Sequence, residues 1–301
     1  MARELRWIPP VHTGLDPIVL TDRAAGYRVG KGTRGLGAVQ RQLVTADSPW
    51  VDGTEAEDDY ALPTTVLLPM MVWAATRDEF LAKIRNLHAA MRTRKPGRVL
   101  VPGELELAQA DGRRFRLRCL YEGGLPDEET LETGGDTNWV RFFLRLFAPD
   151  PYWYSAIAKT LSWVFSAPTA FLGNPFLPMN ISASQVIGAA SITNDGTEDA
   201  YGTWRVTGPG TALILTNPDS GEVLQVNGSI PVGQVLTIVT QPDQASISIE
   251  PAGTDWWPNL ADGSTLWKIP PGVTSVSLAL TGASSGSQID LEFFERFGAP
   301  W

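Results

Sequence analysis

The sequence predicts a mainly β protein of two domains: an N-terminal β-sandwich or barrel-like domain with one α-helix, and a C-terminal antiparallel β-sandwich. Glycine (29) and proline (23) make about a sixth of the 301 residues, a content that favours many turns. Helical spacing of apolar residues occurs in one long stretch, about 77–94, and short strand-like segments occur elsewhere. Residues 1–150 carry 20 Lys+Arg against 21 Asp+Glu, whereas residues 151–301 carry 4 against 12.

Bulk features exclude several classes of protein. The longest apolar run, Val66–Ala75, is interrupted by Pro69 and is too short to span a bilayer, so no membrane insertion is expected. The N-terminus lacks the apolar core of a signal peptide. Cys119 is the only cysteine, which excludes an intrachain disulfide or a cysteine-based metal cluster and fits folding in a reducing cytoplasm. The acidic, lysine-poor C-terminal half is a poor candidate for nucleic-acid binding.

A glycine-rich basic loop near the N-terminus invites a phosphate-binding interpretation. It spans Gly26–Gly37, between strands predicted at 17–21 and 38–46. A phosphate-binding loop needs Gly-Lys-Ser/Thr at the start of a helix, but here Gly32 follows Lys31 and no helical pattern follows. We therefore predict a hairpin or an assembly loop.

The stretch 52–59, DGTEAEDD, holds five carboxylates. Calcium loops place oxygen ligands at positions 1, 3, 5 and 12 with a glycine at position 6, and this stretch does not match that spacing. The prediction is a charged loop that faces solvent or a partner.

A strand followed by a helix is the clearest unit of the N-terminal half. The strand is predicted at 65–75 and the helix at about 77–94. Thr76 and Glu79 form a capping box at the start of the helix. Apolar residues then recur along one helix face: Phe80, Leu81, Ile84, Leu87 and Met91.

Three more strands are predicted at 98–101, 104–108 and 113–121, followed by a polar loop at 122–135. The third strand alternates apolar residues with three arginines: Arg114, Arg116 and Arg118. This row of arginines could contact nucleic acid, solvent or the acidic surface of a neighbouring copy. Solvent or a neighbouring copy is favoured.

The stretch 138–154, NWVRFFLRLFAPDPYWY, marks the end of the N-terminal pattern. It begins as an aromatic-rich strand, which is typical of a strand covered on both faces. The strand ends in a segment that we call the elbow, because its prolines cannot donate to a β-ladder and stiffen the chain. The elbow comprises Pro149, Asp150, Pro151, Tyr152 and Trp153.

Beyond the elbow the pattern is a run of short strands. One strand is predicted at 159–165, and nine more between Gln185 and Phe294, with turns between them and no helix. This pattern predicts an antiparallel β-sandwich of jelly-roll or galectin-like type, an architecture that many carbohydrate-binding modules share. The predicted domain boundaries are 1–166 and 180–301, with 167–179 as a linker or crossing segment.

A tryptophan-rich stretch in the C-terminal half, TDWWPNLADG, is a candidate glycan or partner contact. Sugar sites stack rings on aromatic side chains and bind hydroxyls with carboxylates and amides. The residues that fit are Asp255, Trp256, Trp257 and Asn259. Alternatively, one tryptophan fills the core and the other packs against a neighbour. Trp204 and Trp267 lie on predicted strands and are expected in the core.

An enzyme is disfavoured. The two histidines, His12 and His88, are far apart in sequence, and packing is predicted for both, so no Ser/His/Asp set is expected. Glycoside cleavage needs two carboxyls roughly 5–10 Å apart across a cleft. An acidic β protein offers such pairs by chance, so they do not by themselves predict a catalytic site.

The motifs together resemble the distal tail protein (Dit-like) family of long-tailed bacteriophages with flexible tails. Five stretches occur in the family's order, and the match spans essentially the whole chain. They are TTVLLPMMVWAATRDEFLAKIRNLHAAM, GRRFRLRCLYEGG, FFLRLFAPDPYWYS, GTEDAYGTWRVTGPG and LWKIPPGVTSVSLALTG. The aromatic-Ala-Pro-Asp-Pro-Tyr segment is the most specific of the matching features. The sequence departs from the family only in a C-terminal half that is unusually rich in tryptophan and acidic residues.

The resemblance implies a structural virion protein of the tail tip, made in the cytoplasm of the bacterial host. Six copies would form a ring that continues the tail tube and leaves a central channel for DNA. The implied partners are the tail tube protein, the tape measure protein and the tail-associated hub protein. The C-terminal domain would hold peripheral receptor-binding proteins or contact host glycans. The family offers no catalytic, cofactor or metal-binding residues to transfer.

Overall fold

The computed structural model describes residues 3–47, 50, 52–97, 99–126, 137–165 and 185–301. The chain packs as two compact units, one of residues 1–156 with 297–301 and one of residues 157–296. About half of the described residues lie in antiparallel strands, and the described residues include one α-helix, which confirms the predicted mainly β fold class. No helix among the described residues is long and apolar enough to span a membrane.

Up to Ala156, the described residues of the first unit form ten strands and the α-helix. Their bounds, in chain order, are β1 Glu4–Ile8, β2 Ile18–Val19, β3 Tyr27–Val29, β4 Arg41–Asp47, β5 Thr54–Ala61, β6 Thr64–Trp73, α1 Arg77–Ala90, β7 Gly103–Ala108, β8 Arg114–Gly123, β9 Trp139–Ala148 and β10 Trp153–Ser155. The main sheet has the order β2-β1-β7-β8-β9-β6-β3, and β10 pairs with β8. Strands β4 and β5 form a separate two-stranded sheet.

The core of this unit lies between the inward faces of these strands and α1. Trp7 is fully buried, and its indole N–H donates to the carbonyl of Ala90 at the end of the helix, at 2.9 Å. Gly103 lies against the same ring, because a Cβ there would come within 2.4 Å of the Trp7 side chain. Strand β7 can therefore approach β1 closely only with glycine at this position.

The helix begins as predicted and ends earlier. The Thr76 hydroxyl accepts the N–H of Glu79 at 3.3 Å, so half of the predicted capping box forms. The helix ends at Ala90 rather than near residue 94, because residues 93–95 pair with residues 99–101 in backbone hydrogen bonds. These bonds join the N–H of Lys95 to the carbonyl of Val99 and the N–H of Val101 to the carbonyl of Thr93.

Several other local predictions need correction. The predicted strand at 98–101 reduces to a single bridge between Arg94 and Leu100. His88 is exposed on the outer face of the helix, so its predicted packing is wrong, while His12 is half-buried in a 3₁₀ turn. From Thr54 onward the acidic stretch 52–59 is a strand rather than a loop, since β5 pairs along its length with β4.

The arginine row on β8 is partly exposed, in line with the predicted contact with solvent, but Arg114 and Arg116 also pair with carboxylates of the same unit. Glu106 on β7 has a side chain only 4% exposed. It accepts from Arg114 Nη1 at 2.8 Å and Arg116 Nε at 3.0 Å, and Arg6 Nη1 lies 3.9 Å away. One buried carboxylate thus links β1, β7 and β8, and burial of such a charge is tolerated because it is paired.

The second unit is a two-sheet sandwich, as predicted. Its strands are β11 Lys159–Val164, β12 Gln185–Asn194, β13 Gly202–Thr207, β14 Gly210–Asn217, β15 Glu222–Ile230, β16 Val235–Val239, β17 Ser246–Glu250, β18 Thr254–Asp255, β19 Gly272–Thr281 and β20 Gln288–Phe293. The two sheets have the orders β11-β20-β13-β16-β17-β18 and β12-β19-β14-β15. Trp204 and Trp267 are buried between them, as predicted, with ring centroids 5.8 Å apart.

The division into units differs from the predicted boundaries in two places. Strand β11 lies within the second unit because it pairs with β20 along its whole length. The last strand, β21 (Arg296–Phe297), returns the chain to the first unit, where the Phe297 ring lies 5.1 Å from that of Phe115. The predicted linker 167–179 and most of the predicted loop 122–135 lie outside the described residues.

Replacing Glu106 with alanine should lower the free energy of unfolding by about 2 kcal/mol. This loss of stability is smaller than the loss on breaking a fully buried ion pair, because Arg114 and Arg116 are partly exposed and stay hydrated. Urea unfolding, with hydrogen exchange at β7 and β8 to isolate the first unit, measures the loss. Glu104→Ala is the matched control, since Glu104 pairs with Arg116 but is 31% exposed and should cost under about 1 kcal/mol. Equal losses for both variants would contradict the role of the buried carboxylate.

Candidate functional site

The elbow is an insertion in the strand that runs along β8. Phe147 on β9 lies opposite Leu120. Uninterrupted antiparallel pairing would therefore place Pro151 opposite Arg116, but Tyr154 on β10 occupies that position. Three residues have been inserted, so the elbow acts as an enlarged β-bulge that redirects the chain without removing it from the sheet.

Polar contacts of Asp150 hold the elbow in shape. One carboxylate oxygen accepts the N–H of Tyr152 at 3.2 Å, and the other accepts the hydroxyl of Tyr154. Trp153 and Tyr154 are buried, and Tyr152 is half-buried. The guanidinium of Arg118 lies 4.9 Å from the centroid of the Tyr154 ring, so the third arginine of the β8 row also has a partner in the first unit.

The elbow lies inside the first unit. The chain forms β10 against β8 before it leaves this unit at Ala156. The elbow therefore sets the direction of the last strand before the exit. We expect this direction to matter for assembly, and this role of the elbow is a prediction.

The tryptophan-rich stretch of the second unit forms a fixed turn. Residues Trp257–Asn259 are a 3₁₀ helix, and the N–H of Trp257 donates to Asp255 Oδ1 at 3.0 Å. The N–H of Trp256 donates to the carbonyl of Ile247 at 2.8 Å, and the N–H of Asn259 to the carbonyl of Trp256 at 2.9 Å. The structure thus brings the four predicted residues into one turn.

The two tryptophans of this turn have different surroundings. Trp256 is half-buried against the core of the sandwich, and Gly228 gives it room, since a Cβ there would lie 3.1 Å from its ring. The φ angle of Gly228, 132°, also favours glycine at this position. Trp257 is 39% exposed. One tryptophan is therefore held by the fold while the other presents surface.

Trp256 also forms one wall of a cavity of about 200 Å³ at this end of the second unit. Its lining includes polar side chains that can exchange hydrogen bonds with a ligand: Ser229, Gln234, Glu250 and Thr254. Asp255, Trp257 and Asn259 do not line it. Sequence reasoning missed the polar lining because its residues come from strands and turns that only the folded sandwich brings together.

The second exposed feature is the acidic hairpin, formed by β4 and β5 in the first unit. Nearly all of its described residues are exposed, on both faces of the two-stranded sheet. An isolated two-stranded sheet is marginally stable in water. Its apolar residues, Leu43, Val44 and Tyr60, are exposed too, so the hairpin has the character of a surface that binds a partner.

The described residues contain no group of three or more His, Cys, Asp or Glu side chains that could hold a metal ion. Burial raises the pKa of the Cys119 thiol, so this side chain behaves as a small apolar group of the core. The exposed features described above are the acidic hairpin of the first unit and the small cavity of the second unit. Both are suited to contact with a partner or a ligand.

Comparison with solved structures gives matches over the full length. The SPP1 Dit protein, a paradigm of hub adsorption apparatus in phages that infect Gram-positive bacteria, matches with a TM-score of 0.62 at 15% identity, covering 99% of this chain and 100% of that chain. A chain of the phage P2 baseplate in its activated conformation with Ca matches with a TM-score of 0.57 at 11% identity, covering 98% of each chain. The resemblance predicted from the motifs is confirmed at the level of the fold. No protein-family model and no curated protein matches the chain.

Replacing both elbow prolines, Pro149→Ala with Pro151→Ala, should leave both units folded but impair self-association into a ring. Alanine frees the chain at the insertion, so the strand that leads to the exit loses its fixed direction. Circular dichroism and urea unfolding report folding, and electron microscopy reports the rings. The matched control replaces two exposed turn prolines of the second unit, Pro218→Ala with Pro242→Ala. Rings as numerous as those of the unaltered protein would contradict this role of the elbow.

Proposed function

We propose that the protein is a distal tail hub of a long-tailed bacteriophage with a flexible tail. The observation that supports this most strongly is the fold match to the SPP1 Dit protein, which covers 99% of this chain and 100% of that chain. A match to one unit alone would carry little weight, since β-sandwiches host many unrelated functions. The proposed function therefore rests on a match that covers both units of this chain.

In this proposal the first unit builds a homohexameric ring around a central channel through which DNA passes. The ring joins the tail tube protein to the tape measure protein and the tail-associated hub protein. The second unit attaches peripheral tail-tip proteins or contacts the host. The protein acts as a structural, non-enzymatic component of the virion tail tip, made in the host cytoplasm.

The purified protein should form rings of six copies. Multi-angle light scattering of a concentrated sample should give about six times the single-chain mass of 32.7 kDa, and electron microscopy should show a central hole. Tail tube protein added to the sample should stack onto one side of the ring. A chain that stays monomeric at high concentration and does not bind the tube protein would contradict the proposed function.

A second candidate function is glycan binding at the host surface by the second unit. Its support is the exposed Trp257 next to Trp256, whose cavity is lined by one carboxylate, one amide and two hydroxyls. Saccharides combine apolar faces with hydroxyls that need such partners. The Trp256 side chain would supply stacking in the cavity, where Glu250 and Gln234 would fix the sugar's orientation, and the exposed Trp257 would stack on a part of the ligand outside the cavity.

Binding of the full chain to host cell walls should weaken at least about tenfold in Trp257→Ala, through loss of ring stacking. Glu250→Gln should also weaken it while keeping the shape of the cavity. The matched control is Trp50→Ala, which removes an even more exposed tryptophan from the first unit. Binding that depends on none of these residues, or that is lost equally in the control, would count against a glycan site.

A further inference from the structure

The outer face of the sheet β9-β6-β3 in the first unit carries four exposed arginines: Arg28, Arg34, Arg141 and Arg145. They form two rows across the strands. Met71 on β6 lies opposite an arginine on each side, on β3 and β9. Four residues away along β6, Leu67 also lies between two arginines, one on β9 and one in an adjoining bridge. We call this surface the arginine face.

An apolar groove lies between the two rows. Pro69 and Phe143 lie opposite each other at its centre, and the neighbouring Gly30 has no side chain to fill the space. The resulting groove has a volume of about 320 Å³, and Arg28 and Arg141 form part of its lining. Phe143 is 59% exposed, although a large apolar ring is usually covered.

The charges of the arginine face are unbalanced. Among the described residues its outward positions include no carboxylate, and none of its four arginines forms an ion pair. The arginines of the other end of the same sheet differ, since Arg6, Arg114 and Arg116 all face carboxylates. An unpaired basic surface with an apolar centre fits an acidic partner that also has apolar side chains.

The acidic hairpin has this composition. Residues 41–61 contain six carboxylates and one arginine, and that arginine, Arg41, pairs with Asp59. The register places Val44 opposite Asp58 and Ala46 opposite Glu55, so these four side chains share one face of the hairpin with Tyr60. Among the described residues neither Glu55 nor Asp58 forms an ion pair.

We propose that the acidic hairpin of one copy binds the arginine face of a second copy. Glu55 and Asp58 would pair with the arginines that border the groove, while Val44 and Tyr60 would cover the groove and Phe143. The inference rests on the proposed ring, because it identifies the contact through which one copy binds the next.

The contact is heterologous, since it joins two different surfaces of the same chain. Such contacts repeat from copy to copy and either close into a ring or continue as a filament. Within one chain the two surfaces are both exposed, so each is free for a different neighbour. In a closed ring, every acidic hairpin and every arginine face would be covered by a neighbouring copy.

Charge reversal tests the contact directly. Arg28→Glu with Arg141→Glu places an acidic face opposite the acidic hairpin, and Glu55→Arg with Asp58→Arg places a basic hairpin opposite the arginine face. Each double variant alone should run at the single-chain mass of 32.7 kDa in light scattering while its circular dichroism stays unchanged. An equimolar mixture of the two should recover assembly, because unlike copies then attract and alternate around a ring of even number.

The matched control is Arg85→Glu with Arg92→Glu, which makes the same change of charge at exposed positions on and just after the helix. It should assemble as the unaltered protein does. Assembly of both reversed variants alone, or a mixture that stays monomeric, would overturn the proposed contact while leaving the ring intact. An unaltered protein that never assembles would instead overturn the ring itself.

Discussion

The pairing of one buried carboxylate with arginines on two neighbouring strands fixes the register on which the first unit depends. Glu106 can meet Arg114 and Arg116 only if Phe115 and Leu117 point into the core. A slip by one residue would bury the arginines and expose the apolar side chains. Strand β8 is then the reference for its neighbours, because β7 pairs along one edge and β9 and β10 pair along the other. The pairing thus adds specificity as well as stability.

The parts of the fold that were predictable from sequence are those governed by short-range periodicity. The start of the helix follows from Thr76 and Glu79, and the burial of Trp204 on β13 follows from strand alternation, whereas Trp267 is buried although it lies outside the strands. The parts that were not predictable depend on partners distant in sequence. The helix ends early where the following residues form a turn of their own, and the stretch 52–59 becomes a strand because β4 pairs with it. A high density of charged residues indicates that a segment is exposed, but it does not determine whether the segment is a strand or a loop.

The candidate surfaces, too, were only partly predictable from the sequence. Trp256 and Trp257 stand out in sequence because adjacent tryptophans in a turn are unusual, whereas the polar lining of the cavity is scattered over residues 229–254. The arginine face is harder still to recognise, since its four members come from three separate segments and only the register of β3, β6 and β9 aligns them. The arginines that are obvious in sequence, at alternate positions of β8, have partners within the first unit.

The return of the chain to the first unit at Phe297 makes the second unit an insertion in the topological sense. Within the second unit the entry and exit strands are adjacent, because Lys159 on β11 lies directly opposite Phe293 on β20. A segment whose two ends lie side by side can be lengthened, shortened or exchanged without separating the chain ends that the first unit must receive. The sheet of the first unit would keep its closing contact between Phe297 and Phe115 whatever the insert contains. The architecture therefore allows the second unit to diversify while the first unit stays constant.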